Sequence, residues 1–364
     1  MYTISACIFS RGDSVALAKT LTSCNKQIDE FIVAVPDKNK AIEEIAQKNS
    51  AVIVPYQPQD SICLRLTQTF AQASGDYLFW IDAGDILTPL DLSKLSALKL
   101  ALHEDISAVR IRHAFPAVAE GTFSYYRYET RMISKKSVFS FEDDRYPILN
   151  TPGDPVTFDM ALTHPQSILQ DNAENLPYYQ KRLASNTPLS PHEQLFYARA
   201  LRDSGNLEET LKEYEALIER DAPKNIRLSA CLELSVCQSD IEERLGTLYR
   251  SFQFSSPEAD ICCAIGHCLQ KLNAQEEAIF WYELALSQKM PISERDIYYE
   301  DWNYIPSLEL CCCYHAIGNK EKAKEYNHLA AEYKPHDETV QSNAIFFREN
   351  EPPKKTRNDK KIKY

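Results

Sequence analysis

What most limits the folds open to this 364-residue chain is a repeat in its second half. The stretch Phe196 to Glu209 (FYARALRDSGNLEE) lines up with Ala264 to Glu277 (AIGHCLQKLNAQEE). Gly205 and Asn273 then fall 68 positions apart, twice a 34-residue helix–turn–helix period. Gln238-Ser239-Asp240 marks the turn of the copy between them. Another copy turns at Gly318, 45 positions after Asn273. That interval is one period plus an inserted segment holding Tyr298, Tyr299, Trp302 and Tyr304. Ala278, Tyr282 and Ala285 form a small–aromatic–small pattern on a second helix. Thr210 and Tyr214 fill the first two of these places in the first copy, and Ala323 and Ala330 the small places in the last. Small residues let paired helices approach closely, and the aromatic ring fills the gap. Residues from about 190 to 335 are therefore expected to be paired antiparallel helices, with no strand after 190.

The first third alternates between two other patterns. Thr3 to Phe9, Glu30 to Val35, Ala51 to Val54, Tyr77 to Ile81 and Ser107 to Arg112 read as short buried strands. Between them Asp13 to Cys24, Lys40 to Lys48, Leu64 to Ala73 and Pro89 to about Leu102 carry helical periodicity, with Thr88 as the cap of the last. Strands alternating with helices indicate a mainly parallel sheet covered by helices on both faces.

One strand of this set ends in chemistry. Tyr77-Leu78-Phe79-Trp80-Ile81 is uncharged and runs into Asp82-Ala83-Gly84-Asp85. In open α/β sheets ligands bind beyond the carboxyl ends of the strands. Two carboxylates there suit a hard divalent cation, which in turn holds a diphosphate. Arg11 and Arg65 are cations placed to contact a diphosphate, or surface charges. Asp13 is either a ligand group or the cap of the helix that follows.

Charge and cysteine content exclude other classes. The net charge of −12 argues against general nucleic-acid affinity. The eleven cysteines contain no CxxC pair, which weakens a zinc reading. They read as small buried apolar residues in a reduced cytoplasm. The N-terminus shows no basic-then-apolar signal pattern, and no apolar run approaches membrane-spanning length.

The segments Ser5 to Arg11, Asp29 to Val33 and Ser74 to Asp85 resemble family 2 glycosyltransferases with the GT-A fold. The chain is most similar to the bacterial subgroup in which that domain precedes tetratricopeptide repeats. GDYLFWIDAGD is similar to that family's GDWILWLDADE, whose acids bind the metal and the sugar nucleotide. The resemblance covers about 1 to 115 and continues weakly through Arg131 and His164. It implies a nucleoside diphosphate sugar donor, a divalent cation (Mn2+ or Mg2+) held by Asp82, Asp85 and His164, and nucleotide contacts from Arg11, Asp13, Asp37, Arg65 and Asp82. Three places depart from the family. Its Lys-Asn-Glu run is Arg11-Gly12-Asp13 here, its nucleoside-reading aspartate falls on Val35, and the second acid of its DxD falls on Gly84.

The segment from about 116 to 185 has no clear periodicity and reads as irregular. In a GT-A enzyme this region builds the acceptor side. An inverting transfer needs a carboxylate to take the acceptor proton, and Glu142, Asp143 and Asp144 are its dense acid cluster. A solvated charged loop is the plainer reading of that cluster. The expected organisation is a GT-A-like α/β domain over 1–185, an all-α tetratricopeptide-like solenoid over 186–345, and a disordered basic tail over 346–364. The solenoid has a concave surface suited to a peptide or protein acceptor. Its plainer role is packing or homodimerisation. Two functions follow: a metal-dependent glycosyltransferase, or a non-catalytic GT-A-derived scaffold whose repeats bind a protein partner.

Overall fold

The computed structural model of the protein describes residues 2–24, 27–57, 59–115, 125–164 and 175–349. Its N-terminal part is a mixed α/β sheet region, followed by helical repeats. Strands β1 (Ile4–Phe9), β2 (Glu30–Pro36), β3 (Val52–Tyr56) and β4 (Tyr77–Asp82) pair in parallel in the order β3-β2-β1-β4. Helices α1 (Ser14–Cys24), α2 (Lys40–Lys48) and α3 (Ile62–Ala71) make the crossovers. Alternate residues of β1 point to opposite faces. Ile4, Ala6 and Ile8 join a core with Leu17, Leu21 and Ile42, while Cys7 and Phe9 join another with Leu66, Phe70 and Trp80. Both faces are thus covered. Helix α4 (Pro89–Ala101) starts as its sequence demands, with Thr88 accepting from the Asp91 amide and proline in the first turn.

The rest of the sheet differs from the sequence expectation. β5 (Ala108–Phe115) does not extend the parallel run. β6 (Tyr125–Ser134) inserts between β4 and β5, antiparallel to both. A hairpin of β7 (Ser140–Glu142) and β8 (Ile148–Asn150) follows, and β9 (Val156–Thr163) pairs in parallel with β5. The segment expected to be irregular therefore holds two long strands. β6 (YYRYETRMIS) hides from a hydropathy reading because Arg127, Glu129 and Arg131 neutralise one another within the sheet.

A second correction concerns the inserted segment between repeats. β10 (Ile297–Tyr298) is a strand after residue 190, paired antiparallel with Tyr126 and Tyr125 of β6. β4 takes the other end of that β6 edge, at Met132 to Ser134. An exposed sheet edge invites further pairing. Here β10 and the Tyr128 amide bond to Ser293 cover what β4 leaves open.

Helices α5 (Leu176–Ala184), α6 (Pro191–Asp203), α7 (Leu207–Glu219), α8 (Lys224–Cys237) and α9 (Ile241–Arg250) follow the sheet. They belong with it to one compact unit, residues 1–255 plus 290–298. The boundary expected at 185 is thus not where the compact units divide. Tyr146 stacks on Phe196 at 3.7 Å, and Asp143 pairs with His192, so the first repeat helix packs onto the β7–β8 hairpin. The other unit comprises 256–289 and the chain from 299. It holds α10 (Ala259–Lys271), α11 (Gln275–Ser287), α12 (Tyr304–Ala316), α13 (Lys320–Tyr333) and α14 (Glu338–Glu349). Gly205, Asn273 and Gly318 all adopt positive φ at the turns where the repeat places them. Ala278, Tyr282 and Ala285 are fully buried, as are Thr210, Tyr214, Ala323 and Ala330. Residues 346–349, expected in the tail, end α14 instead; the tail from 350 lies outside the described residues. Among the described residues no helix is long and apolar enough to cross a membrane.

Candidate functional site

The order in which strands are added reverses between β1 and β4, which are parallel. From β1 the chain builds outward through β2 and β3, then returns to place β4 on the other side. Such a switch point leaves a crevice at the strand ends, where ligands bind in open α/β sheets. Phe9 and Asp82 are paired at those ends. A cavity of about 810 Å³ opens there, lined by Phe9, Arg11, Asp13, Trp80, Asp82 and Arg131, among others. Its size is that of a small-molecule site. Its far wall comes from the first repeat helices, through His192, Phe196 and Arg199 of α6 and Asn225 of α8. Residues 294–296, just before β10, complete it.

Asp82 is the last residue of β4 and is held from two sides. Its Oδ1 accepts from the Trp80 indole at 3.3 Å and its Oδ2 from Arg131 Nη1 at 3.0 Å. The Arg131 guanidinium lies over the Trp80 ring, 4.0 Å from its centroid. Arg127 and Glu129 are two residues apart on β6 and share one face, and Arg131 follows at a β-bulge. Glu129 accepts from both arginines. Burial alone would raise its pKa, but Arg131 and Arg127 hold it well below the usual carboxylate range.

Asp85 is fully buried, and every contact is a donor. Its Oδ1 accepts from His113 Nε2 at 3.0 Å and His164 Nδ1 at 2.8 Å, and its Oδ2 from the Asp82 amide at 3.2 Å. Desolvation opposes its ionisation, and the histidines and Arg131 overcome this and depress its pKa. For His113, burial disfavours the charged form, and the Asp85 carboxylate outweighs that and raises the pKa. Arg131 Nη2 lies 2.8 Å from His113 Nδ1 and can only donate. Neutral His113 therefore carries its proton on Nε2, toward Asp85.

The turn between the two acids leaves no room for a side chain at its glycine. Gly84 has φ +113, and a Cβ there would meet His164 Cε1 at 2.9 Å. Its amide is held by Thr20 Oγ1 at 2.9 Å, and Thr20 in turn donates to the Asp85 carbonyl. The Ile86–Thr163 bridge fixes the neighbouring strand, so His164 lies against the glycine. The space a side chain at Gly84 would take is therefore occupied by an imidazole.

One carboxylate oxygen and two imidazole nitrogens, from Asp85, His113 and His164, lie within 4.8 Å of one another and could hold a metal ion. Nitrogen donors suit Mn2+ or a later transition ion, whereas Mg2+ favours oxygen. A metal on His113 Nε2 would require the proton there to leave, and Nδ1 cannot take it while Arg131 Nη2 donates to that nitrogen at 2.8 Å. Asp82 is not in this group; its Oδ2 faces Arg131.

The other predicted residues are spread more widely. Arg11 and Asp13 line the cavity, Arg11 against the Phe9 ring and Asp13 capping the Val15 and Ala16 amides of α1. Asp37 binds Gln57 Nε2 at 3.2 Å and Arg65 covers the Tyr56 ring; neither lines the cavity. Glu142 lines it and bonds Asn150. Asp144 accepts from the Cys63 amide. Asp143 is buried and pairs with His192 Nδ1 at 3.1 Å. His113, Glu129 and His192 were not singled out from sequence. For Glu129 the available signal was the two-residue spacing of Arg127, Glu129 and Arg131 along β6, whereas His113 lies in the apolar phase of β5 with Val109 and Ile111.

The family model of the tetratricopeptide repeat matches residues 259–289, the α10–α11 pair. No curated protein matches the chain. Among solved structures, MamA is 15% identical, covering 42% of this chain and 82% of its own, with a TM-score of 0.34. TTC0263, a tetratricopeptide protein of Thermus thermophilus, is 17% identical over 49% and 89%, with a TM-score of 0.33. Glucosyl-3-phosphoglycerate synthase from Mycobacterium tuberculosis, in complex with uridine diphosphate, is 14% identical over 50% and 78%, with a TM-score of 0.34.

Proposed function

We propose that this chain is a glycosyltransferase that binds a nucleoside diphosphate sugar at the β1–β4 switch point. The observation that carries the reading is the cavity at those strand ends, with Asp82 fixed by Trp80 and Arg131 at its floor. Arg11 and Arg131 supply positive charge for a diphosphate, and Asp13 and Asp82 are acceptors for ribose or sugar hydroxyls. A divalent cation, held by Asp85, His113 and His164 with Asp82 nearby, would neutralise charge on the leaving diphosphate. Arg131 does part of that work without a metal, because its charge is fixed and held rigid against Trp80. The acceptor, a peptide or protein in this reading, enters along the wall built by α6 and α8. Calorimetric titration with uridine diphosphate and manganese tests the reading. Saturable binding that weakens in D82A is the expected result.

A second reading is a non-catalytic scaffold whose repeats hold a protein partner. What favours it is that the carboxylates of Asp82 and Asp85 already have internal cationic or imidazole partners. Absence of nucleotide binding by the intact chain, with or without manganese, would decide for the scaffold.

A further inference from the structure

We propose that His192, oriented by Asp143, is the base that deprotonates the acceptor hydroxyl; the proposal rests on the glycosyltransferase reading. Asp143 belongs to the acid cluster read from sequence, yet its side chain is fully shielded and cannot itself meet an acceptor. It adopts φ 64, a left-handed conformation costly for a residue with a Cβ. The surroundings over-determine that conformation. Its Oδ1 accepts from the amides of Arg145 and Tyr146 at 2.8 and 3.2 Å. Its Oδ2 is left for His192 Nδ1 at 3.1 Å.

This bond decides the chemistry of the ring. A carboxylate can only accept, so Nδ1 carries the proton and neutral His192 keeps its lone pair on Nε2. His192 lines the cavity that holds Asp82, and its side chain is 20% exposed. It sits in the first turn of α6, which a capping box of Ser190 and Glu193 fixes. Phe196 packs against the ring, 4.9 Å between centroids, and Tyr146 stacks on Phe196. The imidazole is thus held by a buried acid on one side and an aromatic pair on the other. A carboxylate orienting a histidine through Nδ1 is a general arrangement for an active-site base.

In the step, the acceptor O–H proton moves to His192 Nε2 as the acceptor oxygen bonds to the anomeric carbon. The bond from that carbon to the diphosphate oxygen breaks, and the nucleoside diphosphate leaves with the electron pair. Asp143 is the positioning residue. It stabilises the imidazolium and does not take the proton.

The test uses the full chain with manganese and a panel of uridine and guanosine diphosphate sugars, water serving as acceptor. Nucleotide binding is measured alongside by calorimetry. In H192Q the hydrolysis rate should fall by about 100-fold or more, nucleotide affinity should stay, and the acidic limb of the kcat/KM profile should vanish. D143N should also lower kcat while keeping that acidic limb, displaced in pH. Failure of the wild type to bind any nucleotide overturns the glycosyltransferase reading, and this proposal with it. A wild type that binds nucleotide without turning over any donor overturns the base assignment alone. So does an H192Q variant with unchanged rate and profile.

Discussion

Arg131 donates to Asp82 Oδ2 at 3.0 Å while its guanidinium lies flat enough on Trp80 to reach 4.0 Å from the ring centroid. The strand that carries the acid also carries the platform for its cation. Trp80 and Asp82 are two residues apart on β4 and so project to the same face. Burial of Arg131 at 2% exposure is tolerated because Glu129 and Asp82 both accept from it. The pair fixes one acid and one cation at the floor of the cavity before any ligand arrives.

Asp82→Ala should therefore weaken binding of uridine diphosphate in manganese and leave folding largely intact. The side chain is 28% exposed, and Arg131 retains Glu129, so no buried charge is stranded. A contact to a charged group is worth about 1.5–3 kcal/mol, which means a loss on the order of tenfold or more in affinity. Titration calorimetry with a parallel urea melt separates the two effects. Unchanged affinity would remove Asp82 from the site.

Gly84→Ala should destabilise the protein by about 1–3 kcal/mol, the usual cost of a side chain in an unfavourable backbone region. It should also push His164 away from Asp85, because the new Cβ would sit 2.9 Å from the imidazole. Chemical denaturation reads the first effect, and the histidine ring resonances read the second. A variant of wild-type stability with His164 unmoved would contradict the geometry.

Much of this was legible in the chain before its structure. Three of the four parallel strands, β1, β2 and β4, announce themselves because each is apolar and buried along its length, and the repeat turns because Gly205, Asn273 and Gly318 need positive φ. What hid was structure whose polarity is satisfied internally. β6 carries two arginines and a glutamate that meet one another at two-residue spacing, and a hydropathy reading counts them only as three charges. β10 is two residues long, and its partner lies far away in the sequence, at Tyr125 and Tyr126. At the site the acids and His164 could be read, while the other histidine on Asp85, His113, arrives from β5. Asp143 was read as reactive, whereas the structure buries it behind His192.

Two glycines of the repeat helices should respond oppositely to alanine. Gly246 in α9 has open space where a Cβ would stand, so Gly246→Ala should stabilise by about 0.5–1 kcal/mol through helix propensity. Gly266 in α10 faces the buried Tyr282 ring, whose Cζ would lie 2.7 Å from the new atom. Gly266→Ala should destabilise, by about 1–3 kcal/mol, as overpacking does. Urea melts of the two variants check the contrast. Equal effects would mean that α10 and α11 do not pack as described.

Acid should weaken the sheet at the end opposite the cavity. Asp29 accepts from the Ile4 amide and Lys99, Glu30 from Ser5 and the Ser74 amide, and Asp76 from the Thr3 amide and hydroxyl. Desolvation raises the pKa values of Asp29 and Glu30, and the hydrogen bonds outweigh it and lower them; for Asp76 the Thr3 bonds lead. A folded pKa below the unfolded one gives stability that is full above about pH 5 and is lost as pH falls through the folded value. Urea midpoints should therefore drop between pH 5 and acid conditions, and D29N with E30Q should flatten that drop. An undiminished drop in the double variant would place the acid sensitivity elsewhere.

Asp296 should hold the inserted segment in place. It accepts from Arg127 Nη1 at 2.9 Å and lies 3.7 Å from Arg199 Nη1, so one carboxylate joins β6, α6 and the residues leading into β10. Each arginine keeps a second acid, Glu129 and Glu233 respectively, so Asp296→Ala should cost about 1–3 kcal/mol and not the larger penalty of a stranded charge. The local effect should exceed the global one. Tyr126 Oη bonds the Pro291 carbonyl, the Tyr128 amide bonds Ser293, Arg110 pairs with Glu294, and β10 adds a two-residue ladder. Without the carboxylate the 290–298 segment should open to protease well before the sheet unfolds. Limited proteolysis with mass-spectrometric mapping should find new cleavage between 290 and 298 in D296A under conditions where the wild type stays intact. Identical cleavage in both would show that the strand pairing and the Arg110–Glu294 ion pair retain the segment without Asp296.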